Sequence, residues 1–259
     1  MSSPTGQNLT KKQRVQLSRE QKAAKLRAEA ARKRAQQRTL YVSVAVLAVL
    51  AVLIGVFVIV QNAQRDTTAA SAAPPANIGS GNSFVVGNAD AKVTLVAYED
   101  FMCPYCGQFE RTNRAQINAW VKDGTLKVEY RPIAFLDGSS TTKYSTRALN
   151  AAAAVENSSP TAFPKFHELL FENQPEEGSA GLSDAELAKL AGEAGADEDA
   201  VATALKNKTY EAWVAKATED SSKAGISGTP TLLVNGTKLN GFDAATVKQA
   251  VDAAAAAAK

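Results

Sequence analysis

The longest apolar run in the sequence extends from Leu40 to Val60 and contains no charged residue. As a helix, this run would be about 31 Å long, close to the roughly 30 Å hydrocarbon core of a bilayer. The pattern therefore predicts one transmembrane helix over residues 40–60. A cleaved secretory signal is the alternative, although its apolar part would be shorter, about 7–15 residues. A small-residue cleavage pattern does occur, but only later, at residues 70–72.

Further along the chain, the apolar positions follow the periods of strands and helices. Lys92–Tyr98 is a run of apolar and β-branched residues that is typical of a buried strand, and Leu126–Pro132 alternates like a second strand. A helix with one apolar face, ending near Gly124, is predicted between them. The order strand, helix, strand predicts a βαβ unit with parallel strands.

The next part of the chain, about residues 140–222, has a helical pattern throughout. Within it, Ser183–Glu186 has the sequence of a capping box, which marks the start of a helix. The strand pattern returns at Thr231–Val234, where Asn235–Gly236 is a hairpin signal. A final helix is predicted over Asp243–Ala258, since this segment is rich in alanine.

The charges are unevenly distributed along the chain. Residues 1–39 carry 11 basic and two acidic side chains, a net charge of +9, whereas the remainder has a net charge of −6. Because basic flanks stay on the cytoplasmic side, residues 61–259 are predicted to lie outside the cytoplasm. The tail has no aromatic residue for base stacking and no zinc-finger or helix-turn-helix pattern, so we predict no nucleic-acid partner. Attraction to anionic lipid headgroups and membrane topology account for its charge.

These patterns divide the chain into four parts. Residues 1–39 are the basic cytoplasmic tail, and residues 40–60 are the transmembrane helix. Residues 61–82 are small and polar with two prolines, which predicts a flexible linker. Residues 83–259 are predicted to form one α/β domain, in which a βαβ half and a ββα half flank a helical insertion at about 140–222.

The two cysteines of the chain, Cys103 and Cys106, enclose Pro104 and Tyr105 where the first strand gives way to a helix. A cysteine at the cap position, with Pro104 at the first helical position, faces free backbone N–H groups and the positive helix end. Both stabilise a thiolate. A stabilised thiolate at Cys103 is a good attacking or leaving sulfur, and it makes a disulfide with Cys106 more oxidising. The spacing therefore predicts a redox-active pair.

Two other uses of the cysteine pair remain open at this point. A structural disulfide would stabilise the domain weakly, because a two-residue loop removes little entropy from the unfolded chain. Half of a zinc site shared between chains would need a second ligand pair, which the sequence lacks.

The single histidine, His167, is predicted as a partly exposed helix residue. The sequence gives no reason to expect a metal or an organic cofactor.

Three segments together resemble the thioredoxin superfamily, and more specifically the DsbA-like thiol:disulfide oxidoreductases of the membrane-anchored Gram-positive type. They are AKVTLVAYEDFMCPYCGQFE at 91–110, KFHELLFENQ at 165–174 and GISGTPTLLVNGTKLNG at 225–241. With the helical block between them, the resemblance covers about residues 83–255. It implies a thioredoxin fold with an inserted helical domain, preceded in this chain by one transmembrane helix.

The resemblance also implies roles for individual residues. Cys103 would be the nucleophile and Cys106 the resolving cysteine, supported by Pro104 and Tyr105. The Thr229–Pro230 bond is expected to be cis and to lie beside the Cys103 sulfur, where the Thr229 backbone would pair with an extended substrate strand. An ordinary trans turn is the alternative at this bond.

Two positions depart from the pattern of the relatives. Many relatives carry a buried acid six residues before the first cysteine, but this position is Ala97 here. Glu99 and Asp100 lie nearby, and we expect both after the strand, near the mouth of the site, without an assigned role. The second departure is Tyr105, because the most oxidising relatives have a histidine there. This exchange predicts a less oxidising protein.

The resemblance implies a membrane-tethered, extracytoplasmic thiol:disulfide oxidoreductase. As a dithiol oxidase, it would introduce disulfides into reduced secreted or cell-surface proteins. A membrane oxidase of the DsbB or VKOR type would then reoxidise it. A reductase or isomerase with the same fold, for instance in cytochrome maturation, is one alternative. A tethered binding module with an inert disulfide is another, and the sequence alone does not give the redox direction.

Overall fold

The computed structural model describes residues 72–258 of the chain. The predicted basic tail, the predicted transmembrane helix and the first part of the predicted linker lie outside these residues. Within residues 72–258, no helix is both long enough and apolar enough to cross a bilayer.

Strands and helices alternate at both ends of the described domain and enclose a run of helices. The strands are β1 (Phe84–Val86), β2 (Val93–Glu99), β3 (Leu126–Pro132), β4 (Thr231–Val234) and β5 (Thr237–Lys238). The helices are α1 (Pro104–Lys122), α2 (Tyr144–Ser158), α3 (Phe163–Glu172), α4 (Asp184–Glu193), α5 (Glu198–Asn207), α6 (Glu211–Lys223) and α7 (Ala244–Ala257). Short 3-10 helices lie at Phe135–Ser139 and Pro160–Ala162.

The strands form one sheet in the order β1-β3-β2-β4-β5, with β2 at its centre. Strand β2 pairs in parallel with β3 and antiparallel with β4. Helix α1 connects β2 to β3, since parallel neighbours need a crossover connection. The predicted βαβ unit is therefore confirmed, and β3 and β4 have the predicted bounds.

The start of α1 lies at the carboxyl ends of the two parallel strands. Alternate residues of β3 are buried, as the alternating sequence predicts, because successive side chains point to opposite faces. In the last pair of the ladder, Glu99 of β2 lies opposite Pro132 of β3. The chain leaves β2 after Glu99 and enters α1 at Pro104, so the cysteine pair lies at the carboxyl end of the central strand.

Five helices, α2 to α6, form the insertion between β3 and β4. Helix α2 is its centre, packs against each of the other four, and is buried without interruption from Ala148 to Glu156. A helix that is buried on all sides needs small residues for close approach, which explains its alanine content. Its one buried amide, Asn150, is satisfied: it donates to the carbonyl oxygen of Ala204 and accepts from the N–H of Tyr210.

The predicted helix-start signal is present at α4. The backbone N–H of Glu186 donates to Ser183 Oγ at 3.3 Å, and the N–H of Ser183 donates to Glu186 Oε2 at 2.7 Å. These two bonds are the reciprocal pair of a capping box.

Strand β1 is a feature that the sequence pattern did not predict. It has three residues and pairs antiparallel with the distant β3, so no local periodicity marks it. Its anchor is Phe84, which is fully buried and stacks on the ring of Phe163 at a centroid distance of 4.4 Å. Tertiary packing therefore creates this strand.

Residues 72–82, predicted as the end of a flexible linker, are instead bonded to the domain. The backbone N–H of Ala76 donates to Asn157 Oδ1 at 2.9 Å. The indole N–H of Trp213 donates to Asn82 Oδ1 at 3.1 Å. These bonds join the segment to α2 and α6, so the ordered domain begins earlier than predicted.

Candidate active site

Cys103 is the N-cap residue of α1, and Pro104 occupies the first helical position, as predicted. The backbone N–H of Cys103 donates to the carbonyl oxygen of Asp100 at 2.9 Å. The Cys103 carbonyl accepts the first helical bond from the N–H of Gly107 at 3.1 Å. The Cys103 sulfur consequently lies at the positive end of a helix of 19 residues.

The surroundings of Cys103 favour its thiolate. The pKa of Cys103 is lowered to about 6, mainly because the Cys106 side chain hydrogen-bonds to the sulfur. The Thr229 side chain and the backbone N–H groups of Cys106 and Tyr105 add to this effect, while burial opposes it. Reduced Cys103 is therefore largely ionised at neutral pH.

The surroundings of Cys106 instead favour its protonated thiol. Its side chain is fully buried, and burial raises the pKa of its thiol, as do the hydrogen bond with Cys103 and the nearby Glu99 carboxyl. Both cysteines have free thiols in this structure. The pair thus combines a thiolate at Cys103, which is 5% exposed, with a protonated thiol at the fully buried Cys106.

The chain returns to Cys103 at the turn before β4. The Thr229–Pro230 peptide bond is cis, and the Cys103 thiol donates to the carbonyl oxygen of Thr229 at 3.4 Å. Thr229 and Pro230 are only half-buried, so their backbone is accessible beside the sulfur. The structure therefore brings together the sequence motifs at residues 103–106 and 229–230.

Gln174, which follows α3, ties the helical insertion to the cysteine turn. Its Nε2 donates to the carbonyl oxygen of Cys103 at 2.8 Å and to that of Phe101 at 3.2 Å. Its Oε1 lies against Gly107, where a Cβ would overlap it. Glycine at position 107 therefore lets the Gln174 side chain reach the backbone of the active-site turn.

Asp100 is fully buried, which corrects its expected position near the mouth of the site. Its carboxylate accepts from the N–H of Met102 at 2.9 Å, from the N–H of Leu136 at 2.9 Å and from Ser145 Oγ at 2.6 Å. Burial raises the pKa of Asp100 to about 6, although these three bonds act against the shift. Asp100 thus fixes the loop before Cys103 to the helical insertion.

Glu99 and His167 also differ from the sequence expectations. Glu99 is the last residue of β2 and is 1% exposed, while His167 of α3 is 3% exposed. Their Oε2 and Nε2 atoms are 3.0 Å apart. Burial raises the pKa of Glu99 well above its ordinary range and lowers that of His167 to about 4. The contact is therefore a hydrogen bond with a neutral imidazole and not an ion pair.

Glu110 of α1 is the third ionisable group of this buried cluster, which we call the Glu–Glu–His cluster (Glu99, Glu110 and His167). It is 2% exposed, and burial together with the neighbouring Glu99 raises its pKa to about 8. Sequence reasoning did not single out Glu110. Its position at the i, i+3 and i+7 spacing with the buried Asn113 and Ile117 is the signal that places it on the inner face of α1.

An exposed aromatic side chain stands next to the cysteines. Tyr105 is 63% exposed, and its ring lies 6.4 Å from that of Phe242, which precedes α7. An exposed tyrosine with a half-buried phenylalanine beside a reactive sulfur is a surface on which an unfolded chain can pack.

The fold and the site together define a class of protein. A cysteine pair at the start of a helix, after the central strand of a mixed sheet and beside a cis-proline turn, is the arrangement of thiol:disulfide oxidoreductases. In agreement with this, the sequence profile of a family described as Thioredoxin matches residues 79–253. The chain belongs to the thioredoxin family, and the predicted thioredoxin fold with a helical insertion is confirmed.

Solved structures of similar proteins agree with this assignment. BdbD from Bacillus subtilis is 26% identical with a TM-score of 0.62, and the match covers 71% of this chain and 97% of that one. DsbA from Mycobacterium tuberculosis is 30% identical with a TM-score of 0.57, and the match covers 68% of this chain and 99% of that one. The resemblance to DsbA-like thiol:disulfide oxidoreductases is thereby confirmed.

Curated relatives include proteins of quite different length. The serine/threonine-protein kinase PknE of Mycobacterium tuberculosis is 37% identical over 153 residues, which is 56% of this chain but 27% of that protein. The chain thus spans about a quarter of the length of this relative. Disulfide bond formation protein D of Bacillus subtilis is 28% identical over 171 residues, which is 65% of this chain and 75% of that protein.

Proposed function

We propose that this protein is a membrane-tethered dithiol oxidase that introduces disulfides into reduced proteins outside the cytoplasm. The observation that carries the proposal is the contrast within the cysteine pair. The pKa of Cys103 is lowered to about 6, whereas that of Cys106 is raised. A stabilised Cys103 thiolate favours the reduced form of the pair, and a pair that is easily reduced is a good oxidant of other thiols.

The reaction begins with the Cys103–Cys106 disulfide. A substrate thiolate attacks the Cys103 sulfur, so that a mixed disulfide forms and the bond to Cys106 breaks. Cys106 leaves with the electron pair and takes up a proton, which its raised pKa favours.

The second step releases the product. A second substrate thiolate attacks the substrate sulfur of the mixed disulfide, and Cys103 leaves as a thiolate. Its low pKa makes it a good leaving group. The substrate has then lost two electrons and gained a disulfide, while both cysteines of the pair are reduced.

The surface around Cys103 supports an extended protein substrate. The accessible backbone at Thr229 and Pro230 can pair with a substrate strand, and Tyr105 with Phe242 offers apolar contact area that does not depend on one sequence. Reduced secreted or cell-surface proteins are therefore the proposed substrates.

The domain would be held at the membrane and reoxidised there. Residues 40–60 would anchor the domain, with the N-terminus in the cytoplasm, as their length and the basic tail indicate. A membrane oxidase of the DsbB or VKOR type would accept the two electrons and restore the disulfide.

An oxidation assay tests this function. The full chain, purified in detergent and oxidised, is mixed with a reduced secreted enzyme whose activity requires its disulfides. The wild-type protein is expected to restore that activity stoichiometrically, and Cys103→Ala is expected to abolish the effect. Cys106→Ala keeps the Cys103 thiol without its partner. Given the disulfide-bonded form of the substrate, its Cys103 thiolate is expected to attack that disulfide and to accumulate a mixed disulfide, because no second cysteine can release it.

Two results would contradict the proposal. If the oxidised protein leaves the substrate thiols reduced while its reduced form opens substrate disulfides rapidly, it acts as a reductase. If neither form exchanges with a substrate, the domain is a binding module.

A further inference from the structure

We propose that Glu99, Glu110 and His167 form a binding site for a divalent transition-metal ion. This site is distinct from the cysteine pair, and it would bind an ion whether the pair acts as an oxidant or as a reductant.

The three side chains come from three different elements and converge inside the domain. Glu99 ends β2, Glu110 lies on α1, and His167 lies on α3. One donor atom from each lies within 4.8 Å of the other two, and all three residues are buried. Ligands of one metal ion stand about 3 Å or more apart at bond lengths near 2.1 Å, so this spacing suits a common ion.

Two oxygen atoms of the cluster are available as metal ligands once their carboxyl groups are ionised. Among residues 72–258, Glu99 Oε1 and Glu110 Oε1 are buried without a hydrogen-bond partner when both groups are carboxylates. An unpartnered buried carboxylate oxygen is costly, and most such atoms in proteins are satisfied by a proton, a water or an ion. Here the two atoms belong to the same cluster.

The cations near the cluster are paired mainly with acids outside it. Arg114 is the nearby cation of α1, and its Nη1 contacts Glu172 at 2.9 Å and Glu168 at 3.2 Å. Its contact with Glu110 is longer, 3.7 Å, and Glu168 also pairs with Lys165 at 3.0 Å. These outer groups neutralise one another, and in the metal-free protein the two inner carboxyl groups are neutralised by protons, in keeping with their raised pKa values. One divalent cation would displace these protons and compensate both carboxylates.

A cavity gives an ion access to the cluster from outside. It has a volume of about 410 Å³ and is lined by Glu110 and His167 together with Arg114 and Glu168. Water in this cavity can complete the coordination, since three protein ligands leave a tetrahedral ion one open position. Two carboxylates and one imidazole suit zinc and neighbouring first-row ions better than calcium or magnesium.

Zinc titration of the full chain tests the site. The protein is purified in detergent with an affinity tag that lacks histidine, oxidised so that no thiolate remains to bind metal, and stripped with a chelator. Isothermal titration with zinc chloride is expected to show one equivalent bound. Cobalt at the same site should give a visible absorption spectrum of a four- or five-coordinate ion.

Two variants and one control locate the ion. His167→Gln and Glu110→Gln are each expected to weaken zinc binding at least about tenfold. Glu193→Gln, an exposed acid on α4, should leave the affinity unchanged. Zinc should raise the melting temperature of the wild type and of Glu193→Gln, but not that of Glu110→Gln. In the metal-free state, Glu110→Gln should melt no lower than the wild type, because the amide has nearly the shape of the protonated carboxyl group.

Three outcomes would overturn the proposal. The first is no stoichiometric binding to the oxidised protein, which would assign the space between the carboxyls to a shared proton. The second is binding that both variants retain. The third is binding that appears only after reduction, which would place the ion on the thiolates of Cys103 and Cys106.

Discussion

At the scale of single residues, the chemistry of the domain depends on how Cys103 is solvated. Its thiolate receives hydrogen bonds from Cys106, from Thr229 and from the first backbone N–H groups of α1. These donors are fixed by the helix start and by the turn before β4, and they outweigh the bond from the thiol to the Thr229 carbonyl oxygen that is lost when the sulfur ionises. The pKa of Cys103 is therefore lowered by hydrogen bonds and not by a neighbouring cation.

The pH profile of alkylation should report this directly. With a pKa of about 6, reduced Cys103 should react with iodoacetamide at half-maximal rate near pH 6, against about 8.5 for an ordinary thiol. In Cys106→Ser, the alkylation midpoint of Cys103 is expected to lie between these two values, because the hydrogen bond from the Cys106 thiol is changed while the other donors remain. An alkylation midpoint at or above pH 8 would contradict the lowered pKa of Cys103.

The reduced domain should gain stability as the pH rises from about 6 toward 8.5 and lose it as the pH falls through 6, because the pKa of Cys103 is lower in the folded state.

A second residue-scale prediction concerns Gln174, which holds the carbonyl group of Cys103. Gln174→Ala should loosen the first turn of α1 and raise the pKa of Cys103 by about half a unit to one unit, since a net hydrogen bond is worth about 1 kcal/mol. Gln174→Glu should raise it further through repulsion of the thiolate. Gln108→Ala, on the exposed face of α1, is the control. Unchanged alkylation profiles in both Gln174 variants would show that the contact is only structural.

At the scale of elements, Asp100 joins the sheet half of the domain to the helical insertion. It accepts one bond from the 3-10 helix and one from α2. Asp100→Ala should destabilise the domain by about 2–4 kcal/mol, because it leaves buried donors unpaired. Ser145→Ala should cost about 1–2 kcal/mol, and the exposed Asp90→Ala no more than about 0.5 kcal/mol. Urea unfolding followed by tryptophan fluorescence measures these differences, and equal midpoints for Asp100→Ala and Asp90→Ala would refute the role.

Elements with a strong local pattern were predictable from the sequence. The alternation of Leu126–Pro132 and the run at Thr231–Val234 fixed both strands to the residue, because each segment buries alternate or successive apolar side chains. The cap at Cys103 followed from Pro104. Helix propensity and capping are local properties, which is why they can be read from a short window.

Contacts between distant segments were not predictable in the same way. The burial of Glu99 and His167 depends on a pairing across 68 residues, and neither neighbourhood marks it. The helical pattern around His167 predicts a partly exposed histidine, whereas the rings of Phe101, Phe163 and Phe171 enclose it. Strand β1 was missed for a related reason, since three residues carry no period and only the fit of Phe84 defines it.

At the scale of the whole molecule, the proposed orientation places Cys103 outside the cytoplasm. The chain contains two cysteines, both in the described domain, so thiol labelling reports on that domain alone. After mild reduction, a membrane-impermeant maleimide should label the full chain in intact cells of a Gram-positive host. A chain without residues 40–60 should be labelled only after the cells are opened. Labelling of the full chain that also requires opened cells would place the domain in the cytoplasm.

If the cysteine pair donates its disulfide to other proteins, its reduction potential must be that of an oxidant. The full chain in detergent would be equilibrated with glutathione buffers, and the fraction of free Cys103 measured at pH 7. The low pKa of Cys103 predicts a potential between about −120 and −180 mV, in the range of known oxidants. A potential near −270 mV, like that of thioredoxin, would contradict the account and make the protein a reductase.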